Sequence, residues 1–184
     1  MSKNPRLLPI EKKSDIPSQY RRTPIGSFAG YHNLGLPVKP FTQAQLLVGM
    51  CMDNRKHLNI PDNFAYIIRA AGANLRYSEF KISYAIGVGG VSHLALIGHT
   101  QCGMQNLAEK KAAFIRGLVK RAGWSKHQAE EHFLNFCMMF EIGSVQRFIL
   151  SEVMRLRARY PKICVAPMLY KVEDSRLYFL EDGS

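Results

Sequence analysis

A short apolar run is followed by a thiol, a carboxylate and a guanidinium at alternate positions, namely Cys51, Asp53 and Arg55. Further along, the segment GHTQCG places His99 three positions before Cys102, with a glycine on either side of the pair. Two thiolates and one imidazole are ligands that suit Zn²⁺. Three protein ligands leave a fourth coordination position open, as in catalytic rather than structural zinc sites.

Asp53 and Arg55 favour a catalytic role, because the end of an apolar strand does not require a charged pair. Zinc lowers the pKa of a bound water towards about 7, which gives a hydroxide nucleophile at neutral pH. A carboxylate beside that water can orient it, and a paired arginine keeps the carboxylate ionised. Simpler interpretations also stand: a buried cysteine that only packs, an H-x-x-C spacing that occurs by chance, and an ordinary surface salt bridge.

The apolar pattern around these residues alternates between strand-like and helix-like stretches. The predicted elements are strands over Leu46–Met50, Phe64–Arg69 and His93–Ile97, and a helix capped by Ser78 and ended by Gly89 and Gly90. A strand-helix-strand unit predicts a parallel sheet with helices on its faces. In such sheets ligands gather beyond the carboxyl ends of the strands, which is where the cysteines and the histidine fall.

The second half of the sequence is more helical. It predicts helices over about 104–122, 126–140 and 145–160, followed by a closing hairpin over 164–172 and 177–180. The fold class expected is therefore α/β, with a mostly parallel central sheet flanked by helices. Residues 1–40 are rich in Pro, Lys, Arg and Gly, and we expect an arm there that lies on the domain or on a partner subunit. Residues 41–184 are expected to form a single zinc-binding α/β catalytic domain.

Composition sets limits on the function. The 184 residues suit one domain, and no apolar stretch reaches the roughly 18–20 residues that span a bilayer. A signal-peptide pattern is absent, so a cytoplasmic location is expected. The net charge of +11 comes from scattered Lys and Arg without an aromatic-interleaved basic tract, which argues against nucleic acid. The four cysteines are widely and unevenly spaced, which predicts free thiols or metal ligands.

The motif CMDNR, followed by IIRAAGA, SYAIGVGGVSHLALIGHTQCGM and VAPMLYKVEDSRLYFL, resembles the beta-class carbonic anhydrases, closest to their short archaeal-type branch. The resemblance is clear over about residues 44–107 and looser over 140–181. It implies a parallel-centred sheet flanked by helices and assembly into homodimers or higher oligomers. It also implies reversible hydration of carbon dioxide to bicarbonate and a proton, with zinc-bound hydroxide as the nucleophile.

Position by position, the resemblance implies that Cys51, His99 and Cys102 hold Zn²⁺. Asp53 and Arg55 would form the catalytic dyad that orients the zinc-bound water. In some relatives the aspartate moves onto zinc, so an off switch is also implied. The residues implied for an apolar substrate pocket, often completed by a neighbouring subunit, are Tyr66, Ala71, Gly72 and Tyr84.

The sequence departs from the family's pattern at several places. Residues 56–63 are fewer than usual and leave no room for the customary helix, and Gln101 stands where Asp is frequent. Ala70 and Ala73 replace common asparagines. These departures leave the substrate open, with a sulfur analogue such as carbonyl sulfide or carbon disulfide as the alternative. A zinc-dependent binding protein without catalysis, whose basic charge serves nucleic acid or an acidic partner, is a further alternative.

Overall fold

The computed structural model describes residues 5–182. Its strands are β1 (Leu7–Leu8), β2 (Leu46–Cys51), β3 (Ala65–Ala70), β4 (His93–His99), β5 (Cys164–Lys171) and β6 (Arg176–Leu180). Its α-helices are α1 (Ser18–Arg21), α2 (Pro24–Leu34), α3 (Glu79–Gly87), α4 (Leu107–Ala122), α5 (Lys126–Phe140) and α6 (Val145–Arg159). These bounds lie close to the predicted ones wherever an element was predicted.

The six strands form one sheet in the order β1-β6-β5-β4-β2-β3. Strands β3, β2, β4 and β5 are parallel, whereas β6 pairs antiparallel with β5, and β1 at the edge pairs antiparallel with β6. The chain first places β3 on one side of β2 and then crosses over to place β4 on the other side. The α/β prediction is therefore confirmed, and the carboxyl ends of β2 and β4 meet at a point where the strand order reverses, which is where such sheets form a crevice.

Both faces of the sheet are covered, and this explains why every residue of β2 is buried. Leu47 and Cys51 belong to the core that α3 and α6 cover. Leu46, Val48 and Met50 belong to the opposite core, which α2 covers. The alternation follows from the two-residue period of a strand, so β2 serves both cores and brings its last side chain to the α6 side.

The N-terminal segment packs on the sheet of its own chain. Leu7 pairs with Leu180 across β1 and β6, and α2 buries Ile25 and Phe28 in the core. The sequence predicted no helix here, because α2 carries two glycines and several polar residues and so has a weak helical pattern. Gly26 is required by close approach, since a Cβ there would lie 2.3 Å from the Tyr20 carbonyl oxygen. The division into an arm (1–40) and a catalytic domain (41–184) stays a prediction.

The loop over residues 56–63 contains no helix, as its length predicted. Leu58 and Ile60 are half-buried and pack against the core on the α2 side, which anchors the loop. Within residues 5–182 no single helix is long and apolar enough to cross a membrane. Helices α5 and α6, bent by 70° to each other, meet that length and composition only when they are taken together.

Close packing of α6 on β4 gives the first prediction. A Cβ on Gly98 would lie 2.7 Å from both Ile149 Cγ1 and Val145 Cγ1. Gly98→Ala should therefore overpack this contact and lower the free energy of unfolding by about 1–3 kcal/mol, measured by urea denaturation. Gly87→Ala is the matched control, because its Cβ would meet open space at the exposed end of α3. Equal stability of the two variants would contradict the packing.

Candidate metal centre

The two neighbouring strand ends bring three potential metal ligands together. Cys51 is the last residue of β2, His99 is the last residue of β4, and Cys102 follows in the turn after β4. All three side chains are buried, and their ligand atoms all lie within 4.8 Å of one another. Tetrahedral zinc ligands lie about 3.5–4 Å apart, given bonds of about 2.0–2.3 Å. The cluster is therefore close to the spacing that a zinc ion requires.

The orientation of His99 points to a metal. Its Nδ1 lies 2.8 Å from the Thr100 carbonyl oxygen, and since a carbonyl only accepts, Nδ1 carries the proton and donates. The lone pair is therefore on Nε2, which is fully buried and has no hydrogen-bond partner among residues 5–182. A buried nitrogen without a partner is costly. A metal ion held with the two thiolates would satisfy it, and a histidine fixed through its second nitrogen is the usual arrangement at metal sites.

The two thiols interact directly. The Cys102 thiol donates to Cys51 and lowers the pKa of Cys51. The shared proton and burial raise the pKa of Cys102. The first thiolate therefore forms readily, whereas the second requires a cation to replace its proton. All four cysteines are free, in agreement with the sequence prediction.

Asp53 and Arg55 form a two-point ion pair next to this cluster. Arg55 Nη2 donates to Asp53 Oδ2 at 2.8 Å and Arg55 Nε donates to Oδ1 at 3.1 Å. The Arg55 backbone N–H also donates to Oδ1, at 2.9 Å. These bonds hold the pKa of the Asp53 carboxyl well below its usual range. Because Asp53 Oδ2 lies 4.0 Å from His99 Nε2, an ionised carboxylate oxygen faces the position that a metal would occupy.

Arg55 also connects the two strand ends. Its guanidinium donates to Gln101 at both the backbone oxygen (2.9 Å) and the side-chain oxygen (3.2 Å). Gln101 Nε2 in turn donates to Glu173 Oε1 at 2.8 Å, and Thr100 Oγ1 donates to Glu173 Oε2 at 2.7 Å. Sequence reasoning noted Gln101 only as a departure and missed Glu173, which lies 72 residues away. The turn after β4 is therefore fixed by Arg55, which follows β2, and by Glu173, which follows β5.

A buried lysine, Lys56, was also missed. Only 2% of its surface is exposed, and its Nζ donates to the Asp53 carbonyl oxygen at 3.2 Å. Burial lowers the pKa of Lys56, whereas the charges of Cys51, Asp53 and Cys102 oppose that change. No spacing in the sequence distinguishes this lysine from the exposed ones, because its position follows a loop whose path depends on the core.

The residues predicted for the substrate pocket divide into two groups. Ala71 follows β3 at the metal end of the sheet, which is the end that carries Cys51 and His99. Gly72 is buried with φ at 62°, and a Cβ there would lie 2.7 Å from Ile142 Cγ2. Tyr66 and Tyr84 instead lie on the surface, with 41% and 52% of their area exposed. Tyr66 is four strand residues, or about 13 Å, before the metal end of β3. A single chain therefore does not bring these tyrosines to the cluster.

Comparison with solved structures relates this arrangement to known proteins. The beta-carbonic anhydrase isoform I of Trichomonas vaginalis superposes with a TM-score of 0.62 at 18% identity, over 80% of this chain and 90% of that one. A carbonic anhydrase from Glaciozyma antarctica gives a TM-score of 0.57 at 24% identity, over 77% and 83% of the two chains. The chain has the beta-carbonic anhydrase fold.

The same fold also carries another chemistry. The apo form of a carbon disulfide hydrolase superposes on the chain with a TM-score of 0.51 at 24% identity, covering 90% of each chain. No protein-family model and no curated protein matches the chain. Because all these identities are below 25%, the likeness concerns the beta-carbonic anhydrase fold, and the chemistry has to be argued from the site itself.

The second prediction concerns the metal. Purified protein should contain about one zinc per chain, and Cys102→Ser should lose it, because an alcohol is a far weaker ligand than a thiolate. Cys137→Ser is the matched control, since Cys137 is also a free thiol but lies outside the cluster. Elemental analysis after dialysis measures both variants. A wild-type protein without zinc, or a Cys102→Ser variant that keeps it, would contradict this assignment.

Proposed function

We propose that this protein is a zinc-dependent carbonic anhydrase that hydrates carbon dioxide reversibly to bicarbonate and a proton. One observation carries the proposal: a buried set of two cysteines and one histidine, whose imidazole Nε2 has no partner within residues 5–182, lies beside a carboxylate held by arginine. The proposed ligands are Cys51, His99 and Cys102. The beta-carbonic anhydrase fold supports the same reading.

The bound Zn²⁺ would supply Lewis acidity, lowering the pKa of water at the open position to about 7 and so providing a nucleophile at neutral pH. The chain's own residues determine how that water is presented. Asp53 is a weak base, because Arg55 holds its pKa low. Its role is therefore to accept a hydrogen bond and fix the direction of the water's lone pair, while Arg55 prevents the carboxylate from turning away.

An apolar substrate is supported by a cavity that lies near the site, although none of the proposed ligands or dyad residues lines it. A cavity of about 440 Å³ opens between α4 and α5 and begins at Ala71 and Met104, near the metal end of the sheet. The rest of its lining consists of Leu107, Phe114, His132, Phe133, Phe136, Cys137 and Phe140. Because this lining is almost entirely apolar, the cavity favours a small uncharged molecule over a polar substrate.

A sulfur analogue, carbonyl sulfide or carbon disulfide, is the second candidate substrate. The fold shared with a carbon disulfide hydrolase and the apolar cavity both favour it. Either substrate has an electrophilic carbon that the same nucleophile would attack. Stopped-flow measurement of carbon dioxide hydration beside a sulfide-release assay on the same zinc-loaded sample separates the two. Sulfide release without carbon dioxide hydration would assign the second substrate and overturn the first.

The third prediction concerns the proposed dyad. Asp53→Asn should keep zinc, because Asp53 is not one of the three ligands, but should lower kcat for carbon dioxide hydration by roughly a hundredfold. An amide cannot form the two-point ion pair with Arg55 that fixes the acceptor oxygen. Stopped-flow assays and metal analysis measure the two effects.

Asp62→Asn serves as the matched control, since Asp62 is exposed in the loop before β3. It should keep both zinc and turnover. Unchanged turnover in Asp53→Asn would show that the pair is an ordinary salt bridge, whereas loss of zinc would show that Asp53 contributes to metal binding.

We also propose that the protein is a homodimer joined through β3 and α3. Strand β3 is a sheet edge and exposes Tyr66 and Ile67. Helix α3 and the residues directly before and after it expose an apolar row consisting of Tyr77, Phe80, Tyr84 and Val88. An exposed edge strand beside a large apolar surface is typical of an association site. A second copy there would also give the two tyrosines predicted for the pocket a buried position.

The fourth prediction tests this interface. Phe80 is 82% exposed, so Phe80→Glu should leave the fold intact and convert the dimer to a monomer, as measured by sedimentation equilibrium. Met154→Glu is the matched control, because Met154 is also an exposed apolar side chain but lies on α6. A monomeric wild-type protein would refute the proposed interface.

A further inference from the structure

The proposed reaction gives no role to Lys56, although the burial of its charge is energetically unfavourable. Its ammonium is buried, yet no carboxylate lies within ion-pair distance of it among residues 5–182, and it donates to the uncharged Asp53 carbonyl oxygen. Burial of a charge without a counter-ion is costly. A leucine or methionine could fill the same space without that cost, so the charge itself requires an explanation.

The charges around the proposed metal site show what is left uncompensated. The charges of two thiolates and a divalent ion sum to zero. His99 adds no charge, because its Nδ1–H donates a hydrogen bond while Nε2 would bind the metal. Asp53 and Arg55 neutralise each other. Lys56 therefore leaves one positive charge inside the protein. Arg69, whose Nη1 donates to the same Asp53 carbonyl at 3.4 Å, is exposed, so solvent screens its charge more strongly.

We propose that Lys56 is a positioning residue that makes the open metal position prefer a monoanion to a neutral ligand. This inference rests on the proposed function, since it requires a metal held by Cys51, His99 and Cys102. A fixed positive charge in a poorly solvated region attracts an anion but has little effect on an uncharged ligand. Bicarbonate, a monoanion, would be held by the same charge.

A spectroscopic titration tests the proposal without measuring turnover. The protein is loaded with cobalt(II), whose visible absorption reports a change of ligand, and is titrated with azide as the monoanion and imidazole as the neutral ligand. Lys56→Met, which removes the charge but keeps the shape, should weaken azide roughly tenfold or more. The dissociation constant for imidazole should change less than twofold.

Further variants separate the charge from the hydrogen bond. Lys56→Gln keeps a donor for the Asp53 carbonyl but has no charge, so it should behave like Lys56→Met, whereas Lys56→Arg should restore azide binding. Lys120→Met removes a charge from the exposed surface of α4 and should bind azide like the wild type. Circular dichroism of each variant checks that it folds.

Three results would overturn the inference. Azide binding by Lys56→Met at wild-type strength would show that the charge has no effect. An equal loss of azide and imidazole, or wild-type azide binding by Lys56→Gln, would show a purely structural role. A wild-type protein that binds neither cobalt nor zinc would instead refute the proposed function. If the wild type binds metal and azide, the Lys56 variants test the role of Lys56 alone.

Discussion

The parallel pairing of β2 with β4 is the constraint on which the rest of the site depends. Met50 lies opposite Ile97, and Cys51 and His99, one and two positions further on, end their strands at the same edge of the sheet. Cys51 and His99 therefore lie close together although no local sequence pattern links them. A slip of one residue would send Cys51 to the opposite face, so the three candidate ligands come together only in this register. The candidate metal centre therefore depends on strand register.

Side chains from other elements then make that meeting point rigid. Arg55 follows β2 but holds the turn after β4 through Gln101, while Glu173 holds the same turn from the end of β5. A carboxylate that carries a fixed charge beside a metal needs such support, because a mobile one would be free to move onto the metal. The ion pair between Asp53 and Arg55 therefore both fixes the position of the Asp53 carboxylate and keeps it ionised.

Much of the fold was predictable because its signals are local. The strands β2 and β4 are apolar runs, and Ser125, a residue type favoured at helix N-caps, caps α5, since its Oγ accepts from the Gln128 N–H at 3.1 Å. The grouping of Cys51, His99 and Cys102 was predictable because the carboxyl ends of neighbouring parallel strands meet at one edge of the sheet. Helix α2 was not predictable, because its stability comes from burial of Ile25 and Phe28 and not from its own sequence. Lys56 and Glu173 were not predicted either. Glu173 contacts residues that are distant in sequence, and the burial of Lys56 depends on how its loop packs on the core.

The short loop over residues 56–63 bears on whether the site is a working one. Loss of a helix beside a metal centre would open it to solvent if nothing replaced the helix. Here Leu58 and Ile60 pack on the core, and the His57 backbone N–H lies 3.5 Å from the hydroxyl of the buried Tyr170. The loop is therefore anchored by side chains, and it keeps the ammonium of Lys56 away from water. The short loop therefore leaves the site in place, because the proposed ligands and the ion pair of Asp53 and Arg55 all lie at or just after the strand ends.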